Sequence, residues 1–448
     1  MNKTFRPWNL KQDLLLPPSL LDWLPEGHLA RFVLEVVAEL DLSTIYAPYE
    51  KELRGYPPYE PRMMVGLLMY AYAVGVTSSR KISRKTQEDV AFRVLSANQS
   101  PDHSRISEFR RRHGARFEDL FVQVLKLCQK AGLVKLGHVA LDGTKLKANA
   151  SKHKAMSYDR MQKEETRLRE RVKELLAAAE SVDAEEDARY GKGMRGDELP
   201  EELRRAEGRL ERIREAKKAL EAEAKKAAEK DDDDDDAPPR AEDLPSHQVP
   251  HTAEGTPTPK AQRNFTDPDS RIVKTGNGFM QGFNAQAVVD AEHQVIVAQA
   301  LTNQPPDVQH LPAMVDRIAE HLAQLPAKLS ADAGYFSEEN VAWAESVGVN
   351  PYIATGRKKH GQEAPPIVRG RPPEGLTPRQ RMARKLETKK GKDVYRMRKA
   401  IVEPVFGQIK EARGIRSLMR RGLRAAQQEW AFICATHNLL KLFRARPS

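Results

Sequence analysis

Phe283–Thr302 reads FNAQAVVDAEHQVIVAQALT, two runs rich in small and β-branched apolar residues on either side of the polar break Asp290–His293. Such a pair of runs reads as a β-hairpin. Downstream, DVQHLPAMVDRIAEHLAQL places Leu311, Val315, Ile318 and Leu322 on one helical face. AKLSADAGYF then reads as a strand ending at Asp332, SEENVAWAESVG as a helix and VNPYIAT as a further strand. Upstream, HVALDGTKLKANA alternates His138, Ala140 and Asp142 with Val139, Leu141 and Gly143, a short strand. The chain closes on two helical stretches, VYRMRKAIVEPVFGQIKEARG and AAQQEWAFICATHNLLKLF. Strand, interruption, hairpin, helix, strand, helix, strand, helix is the order of one mixed sheet with helices packed against it, an α/β class.

Working outward, apolar residues recur at helical spacing from about residue 28 to about 133, in HLARFVLEVVAEL, PRMMVGLLMYAYAVGV and RFEDLFVQVLKLCQKAGL. Residues 1–136 therefore form an all-helical N-terminal domain, and 137–150 hold the first strand of the sheet domain. After the break Ser100-Pro101-Asp102, a helix carries Arg105, Arg110 and Arg111, a helix-turn-helix pattern that fits DNA reading or simple helix packing. Residues 151–264 have another texture. Met161, Leu168 and Leu175 repeat at seven residues, as do Leu203 with Leu210 and Ile213 with Leu220, which implies two helices folded back as an antiparallel hairpin about Gly191, Gly193 and Gly196. Asp231–Asp236 and the Pro/Thr-rich stretch after it read as disordered. Residues 265–448 complete the sheet domain and include a basic linker over 357–392.

At 448 residues the chain is long enough for two or three folding units. Its longest apolar run, Met63–Val76, falls short of the roughly 20 residues that cross a bilayer, so no membrane partner is expected. The opening MNKTFRPWNL lacks a secretory pattern, which points to a cytoplasmic, nucleoid-associated protein. Cys128 and Cys434 have no metal or disulfide spacing and read as small core residues. Net charge is +11, and from Arg357 onward 24 basic residues face 7 acidic ones, so the whole excess is C-terminal. A polyanion is the natural partner of such a stripe.

Three carboxylates fall at element ends: Asp142, Asp332 and Glu403. Carboxylates from separate elements that converge on one sheet edge suit a pair of divalent ions, whose hard charge needs anionic oxygens. The words around them, VALDGTKLKANAS, GFNAQAVVDAEHQVIVA, LSADAGYFSEEN and YRMRKAIVEPVFGQIKEARG, resemble the RNase H-like catalytic domain of DDE transposases from bacterial insertion sequences. The resemblance covers most of the chain. It implies that Asp142, Asp332 and Glu403 are the catalytic acids and hold two Mg2+ ions, with Mn2+ able to substitute.

Relatives of this kind show Tyr, two residues, Arg, three residues, Glu, six residues, Lys. Here Tyr395, Arg398, Glu403 and Lys410 keep the first and last spacings, while Lys399 occupies the three-residue distance, so the cation role falls between Arg398 and Lys399. Lys410 lies about 700° round an ideal helix from Glu403, near the same face. By resemblance, Tyr395, Arg398 or Lys399, and Lys410 contact double-stranded DNA, the element ends and the target, with a homodimer assembled on it; on the helix-turn-helix reading Arg105, Arg110 and Arg111 contact DNA as well. The reaction implied is metal-dependent strand cleavage followed by strand transfer. An inactive or domesticated DNA-binding regulator, or an RNase H-like nuclease that only hydrolyses, carries the same residues to a different end.

Overall fold

The computed structural model describes residues 19–51, 57–190, 201–232, 247–276, 278–356 and 366–446. The chain divides into two compact units, Met1–Arg116 with Ala445–Ser448, and Phe117–Arg444. None of the described helices is long and apolar enough to cross a membrane.

The first unit is helical: α1 (Leu29–Glu39), α2 (Ser43–Glu50), α3 (Pro61–Ala73), α4 (Ser79–Glu88), α5 (Val90–Leu95) and α6 (His103–His113). The apolar run sits in α3, which starts on Pro61 at a position that needs no N–H donor. The Glu60 side chain caps it by accepting from Met63 N–H at 2.7 Å. Nearly every residue of α3 is buried, so the run is the centre of this unit. Asp102 ends the polar break and caps α6, accepting from Ser104 N–H at 2.8 Å and Arg105 N–H at 3.1 Å.

The second unit opens with α7 (Phe117–Lys130), which the sequence reading placed in the N-terminal domain up to residue 136. Its apolar stripe packs instead on the last helix of this unit, α14 (Leu423–Arg444): the Phe117 and Phe432 rings lie 4.4 Å apart, and Cys128 Sγ sits 3.6 Å from Asn438 O. Both cysteines are buried free thiols, and burial pushes Cys128 up to about 12.

Strand β1 (Val139–Lys147) is central in the sheet. Strand β5 (Gly278–Asp290) lies antiparallel along one side of it. On the far side β5 meets β4 (Arg271–Thr275) with its first half and β6 (Ile296–Thr302) with its second. On the other side β1 runs parallel to β7 (Lys328–Ala331), and β7 parallel to β8 (Asn350–Ile353). The β5–β6 turn falls at Asp290–Gln294, where Asp290 Oδ2 accepts from Leu136 N–H at 2.8 Å and Gln294 takes a positive φ of 56°. Helices α10 (Leu311–Leu322) and α11 (Glu338–Ser346) alternate with β7 and β8, as the apolar spacing required. Part of the stretch read as a basic linker is a helix, α12 (Pro378–Glu387). It is set by a capping box between Thr377 and Gln380, with Pro378 at its first position. Residues 357–365 of that stretch lie outside the described residues.

The interruption after β1 is closed by a two-stranded ribbon, β2 (Ala155–Ser157) with β3 (Gln262–Asn264), from which α8 (Tyr158–Tyr190) and α9 (Glu201–Asp232) project. Arg171 pairs with Glu202 at 2.8 Å and Arg209 with Glu164 at 2.9 Å, while the Tyr158 hydroxyl donates to Glu221 at 2.7 Å. As one partner's number rises the other's falls, so the helices are antiparallel. Met161 and Leu168 pack with Leu210 and Ile213 in a cluster of their own. The expected glycine break at Gly191–Gly196 and the aspartates from Asp233 lie outside the described residues, but the disorder expected of the Pro/Thr-rich stretch is contradicted from residue 247 on, where Val249 and Ala261 are buried against Leu220 and Ala224 of α9. Because the hairpin buries its apolar residues on itself, replacing Tyr158–Ala261 by a short Gly/Ser linker should leave the six-stranded sheet cooperatively folded. Loss of a single sigmoidal urea transition in that variant would show that the insertion is part of the core.

Candidate active site

Asp142 stands in the middle of β1, and Asp332 follows the last residue of β7. The two strands are parallel, with Leu141 opposite Ala331, so the two aspartates occupy the next rung of the same edge. Asp332 is held by its own turn, its Oδ1 accepting from Gly334 N–H at 2.8 Å. Asp142 Oδ1 accepts from Gly143 N–H at 2.8 Å, and its Oδ2 meets Arg398 Nη1 at 2.9 Å. Burial lifts the Asp142 carboxyl to about 6; the Arg398 guanidinium pulls it back down and the Asp332 charge pushes it further up.

Arg398 belongs to α13 (Lys389–Gly407), which lies against β1, β5, β7 and β8. Side chains alternate along a strand, so Asp142 and Thr144 share the face that this segment covers. Arg398 reaches the first, and Lys410 Nζ donates to Thr144 Oγ1 at 2.7 Å. Arg398 is thus the cation inside the site, its guanidinium 5.8 Å from the half-buried Tyr395 ring, while Lys399 is exposed. A DNA contact by Arg398 is contradicted, because it is buried and already bound to Asp142. Lys410 is half-buried, and burial lowers its ammonium pKa.

Helix α13 continues through Pro404. The proline has no N–H for the carbonyl of Ala400, and Gln294 Nε2 supplies the missing donor at 3.0 Å. A single π-turn, Gln408–Ala412, follows. Lys410 reaches β1 from this wider turn, which departs from the ideal helical phase assumed from the sequence.

Glu403 lies on the helix that covers the Asp142 face, but its side chain is exposed and makes no hydrogen bond or ion pair with any described residue. The structure therefore brings Asp142 and Asp332 together and leaves the third expected acid outside. Among the described residues no group of three or more histidines, cysteines or acids is arranged to hold a metal ion. Two carboxylates side by side are the hard donors a divalent cation takes, so the residues present fit one as a partial shell.

The sequence reading missed a third acid. Asp307 Oδ1 accepts from Asn284 Nδ2 at 2.7 Å and Gln286 Nε2 at 2.8 Å, with Lys145 Nζ 3.9 Å away. A methyl group on Gly334 would sit 3.0 Å from Asp332 Oδ1 and 3.5 Å from Asp307 Oδ2, so a side chain there would press on Asp332. One on Gly143 would meet Gln286 Nε2 at 2.7 Å, which explains the glycine after Asp142. Tyr335, fully buried, donates to Gln286 Oε1. Burial, then Asp307, Asp142 and Asp332, push its phenol well up. The signal in the sequence was Asn284 and Gln286, two amides at alternate positions of an otherwise apolar strand.

In the first unit, Arg110 is also corrected. It is buried and donates to Tyr72 Oη at 2.9 Å, Thr77 O at 2.7 Å and Ser79 Oγ, so it ties helices together and is not free for DNA. Arg105 and Arg111 remain exposed on α6, Arg105 Nη1 lying 3.4 Å from Glu108.

Two family descriptions match the chain: Transposase DDE domain over residues 250–439 and Transposase domain (DUF772) over 18–112. The chain carries a transposase DDE domain. The mixed sheet of this transposase is RNase H-like. Asp332 and Glu403 fall inside the matched DDE region and Asp142 before it. No curated protein and no solved structure matches the chain.

The Asp142–Arg398 pair is open to a direct test in this transposase. Arg398→Met should cost about 2–4 kcal/mol, because it strands a buried carboxylate. Adding Asp142→Asn should recover most of that loss, since an amide needs no countercharge. Strictly additive urea-denaturation values would mean that the two groups do not interact.

Proposed function

We propose that this transposase cuts DNA at the ends of its element and joins the freed ends to target DNA. The observation that carries the reading is the pair Asp142 and Asp332, each the residue directly after the last shared rung of two adjacent parallel strands, Leu141 with Ala331. They would hold divalent cations, Mg2+ or Mn2+, and Glu403 on the overlying α13 would complete the shell. Bound there, such ions activate the attacking oxygen and stabilise the leaving one. The chain's own residues do the rest. Arg398 fixes the orientation of Asp142 and keeps it ionised against its burial. Asn284, Gln286 and Lys145 fix Asp307, which keeps a further negative charge beside Asp332.

Water attacks phosphorus first, and the released 3′-hydroxyl then attacks the target strand. Lys399, Lys410, Arg105 and Arg111 are the cations assigned to backbone phosphates. Two ends must be held at once, so the working form is a dimer on duplex DNA, acting in the cytoplasm on nucleoid DNA. The test incubates the protein with Mg2+, a DNA fragment carrying the sequence that flanks its coding region, and a supercoiled plasmid. Joined end–plasmid products are expected. Nicks without joining would reduce the protein to a hydrolase, and binding without nicks to a regulator.

A further inference from the structure

Lys147, the last residue of β1, opens onto a cavity of about 710 Å³ that the acids do not use. Its rim carries Lys147, Lys152, Lys154 and Arg421, and no aspartate or glutamate lines it. Among the described residues none of these four cations has a carboxylate within ion-pair distance. Phe279 stands at the mouth with 60% of its surface exposed, the most exposed large apolar side chain among the described residues. Lys274 sits opposite it across the β4–β5 pair. A single exposed ring is ordinary on a protein surface; what sets Phe279 apart is its place beside four cations that no described carboxylate neutralises.

We infer that this groove binds an unpaired stretch of DNA, with Phe279 stacking on a base and Lys147, Lys152, Lys154 and Arg421 on the backbone phosphates. An exposed aromatic ring within a cationic groove is the arrangement that holds single strands, because every base has a face to stack while phosphates supply the charge. Duplex DNA keeps both faces of its bases occupied, so the ring gains a partner only where a base has left the helix. The volume falls in the range of pockets that enclose a group of base-plus-sugar size. Lys147 lies five residues beyond Asp142 along β1, about 16 Å at strand rise and on the alternate set of strand positions, so the groove lies at the end of the strand that carries the acid. The assignment rests on the proposed function for its location, but not for its chemistry.

The test uses the full chain and a short fluorescent oligothymidylate, which cannot pair with itself, beside a blunt duplex of equal length. Phe279→Ala should weaken single-strand binding about tenfold and duplex binding less than twofold, with Phe279→Trp restoring the single-strand affinity. Lys152→Ala/Lys154→Ala should flatten the salt dependence of single-strand binding by about 1.4 in log–log slope, at about 0.7 for each phosphate no longer neutralised. An oligonucleotide bearing 5-iodouracil should photocross-link to Phe279. Equal losses on single strand and duplex, unchanged binding by Phe279→Ala, or a cross-link mapping elsewhere would each overturn the assignment. The two readings fail separately. Absent strand joining with intact discrimination by Phe279 overturns the transposase mechanism alone, and intact joining with no effect of Phe279→Ala overturns the groove alone.

Discussion

With Mg2+ and end DNA, Asp142→Asn and Asp332→Asn should each slow strand cleavage by on the order of 10³-fold or more, while DNA binding stays within a few-fold. Each change removes one negative charge from the position directly after the last rung that β1 and β7 share and leaves the size of the side chain unchanged. An asparagine at 142 still accepts a hydrogen bond from Arg398, so the fold should survive, and a parent-like urea transition checks this. Glu403→Gln should fall as far if the exposed glutamate turns inward once the site is charged with metal, and Asp307→Asn by less. If Asp307→Asn abolishes cutting and Glu403→Gln cuts normally, the acid held by Asn284 and Gln286 is the third ligand and the helical glutamate is not.

The second large effect is on stability. Trp430 on α14 is fully buried, and its indole Nε1 donates to the backbone carbonyl of Gln286 at 3.1 Å. Trp430→Ala should cost about 3–5 kcal/mol through lost burial and the cavity left behind. The effect should not end in the core, because the Gln286 side chain holds both Asp307 and Tyr335. A variant that still folds at low temperature should therefore also cleave more slowly than its folded fraction explains. Parent-like specific activity, corrected for the folded fraction by near-ultraviolet circular dichroism, would show that the core and the acids are not linked through Gln286.

Much of the sheet domain was legible because β1 and β5 to β8 each had an apolar run of their own and a polar stop. Asp142 and Asp332 could be placed on strands from VALDG and LSADAG, and the heptad leucines of α8 and α9 declared a hairpin with its own core. What escaped was partnership. The apolar stripe of α7 says that it packs, but only Phe432 and Asn438, some three hundred residues on, say against what. Arg110 looks like any cation on a basic helix until Tyr72 and Thr77 are seen to take its guanidinium. The β4 strand hides in the polar stretch RIVKT, and α12 within a run of basic residues whose capping box is its one local mark. Asp307 sits in NQPPDVQH, a connection by every local sign, and its role depends on two amides from a strand twenty residues away. The π-turn after Pro404 has no sequence signature strong enough to correct a 3.6-residue phase.

Gln294 serves more than the carbonyl that Pro404 leaves open. Its side-chain oxygen accepts from Lys441 Nζ at 2.9 Å, and its own carbonyl lies 3.0 Å from His437 Nε2. One turn residue of the sheet thus rivets α13 to α14, while Arg398 pins the same helix to β1. A shift of the helix along its axis would break both contacts at once. An exposed glutamate turns by side-chain torsion in picoseconds to nanoseconds, so an inward turn of Glu403 needs no shift of the helix. Such a turn would leave the contacts that α13 makes with β1 and Gln294 unbroken.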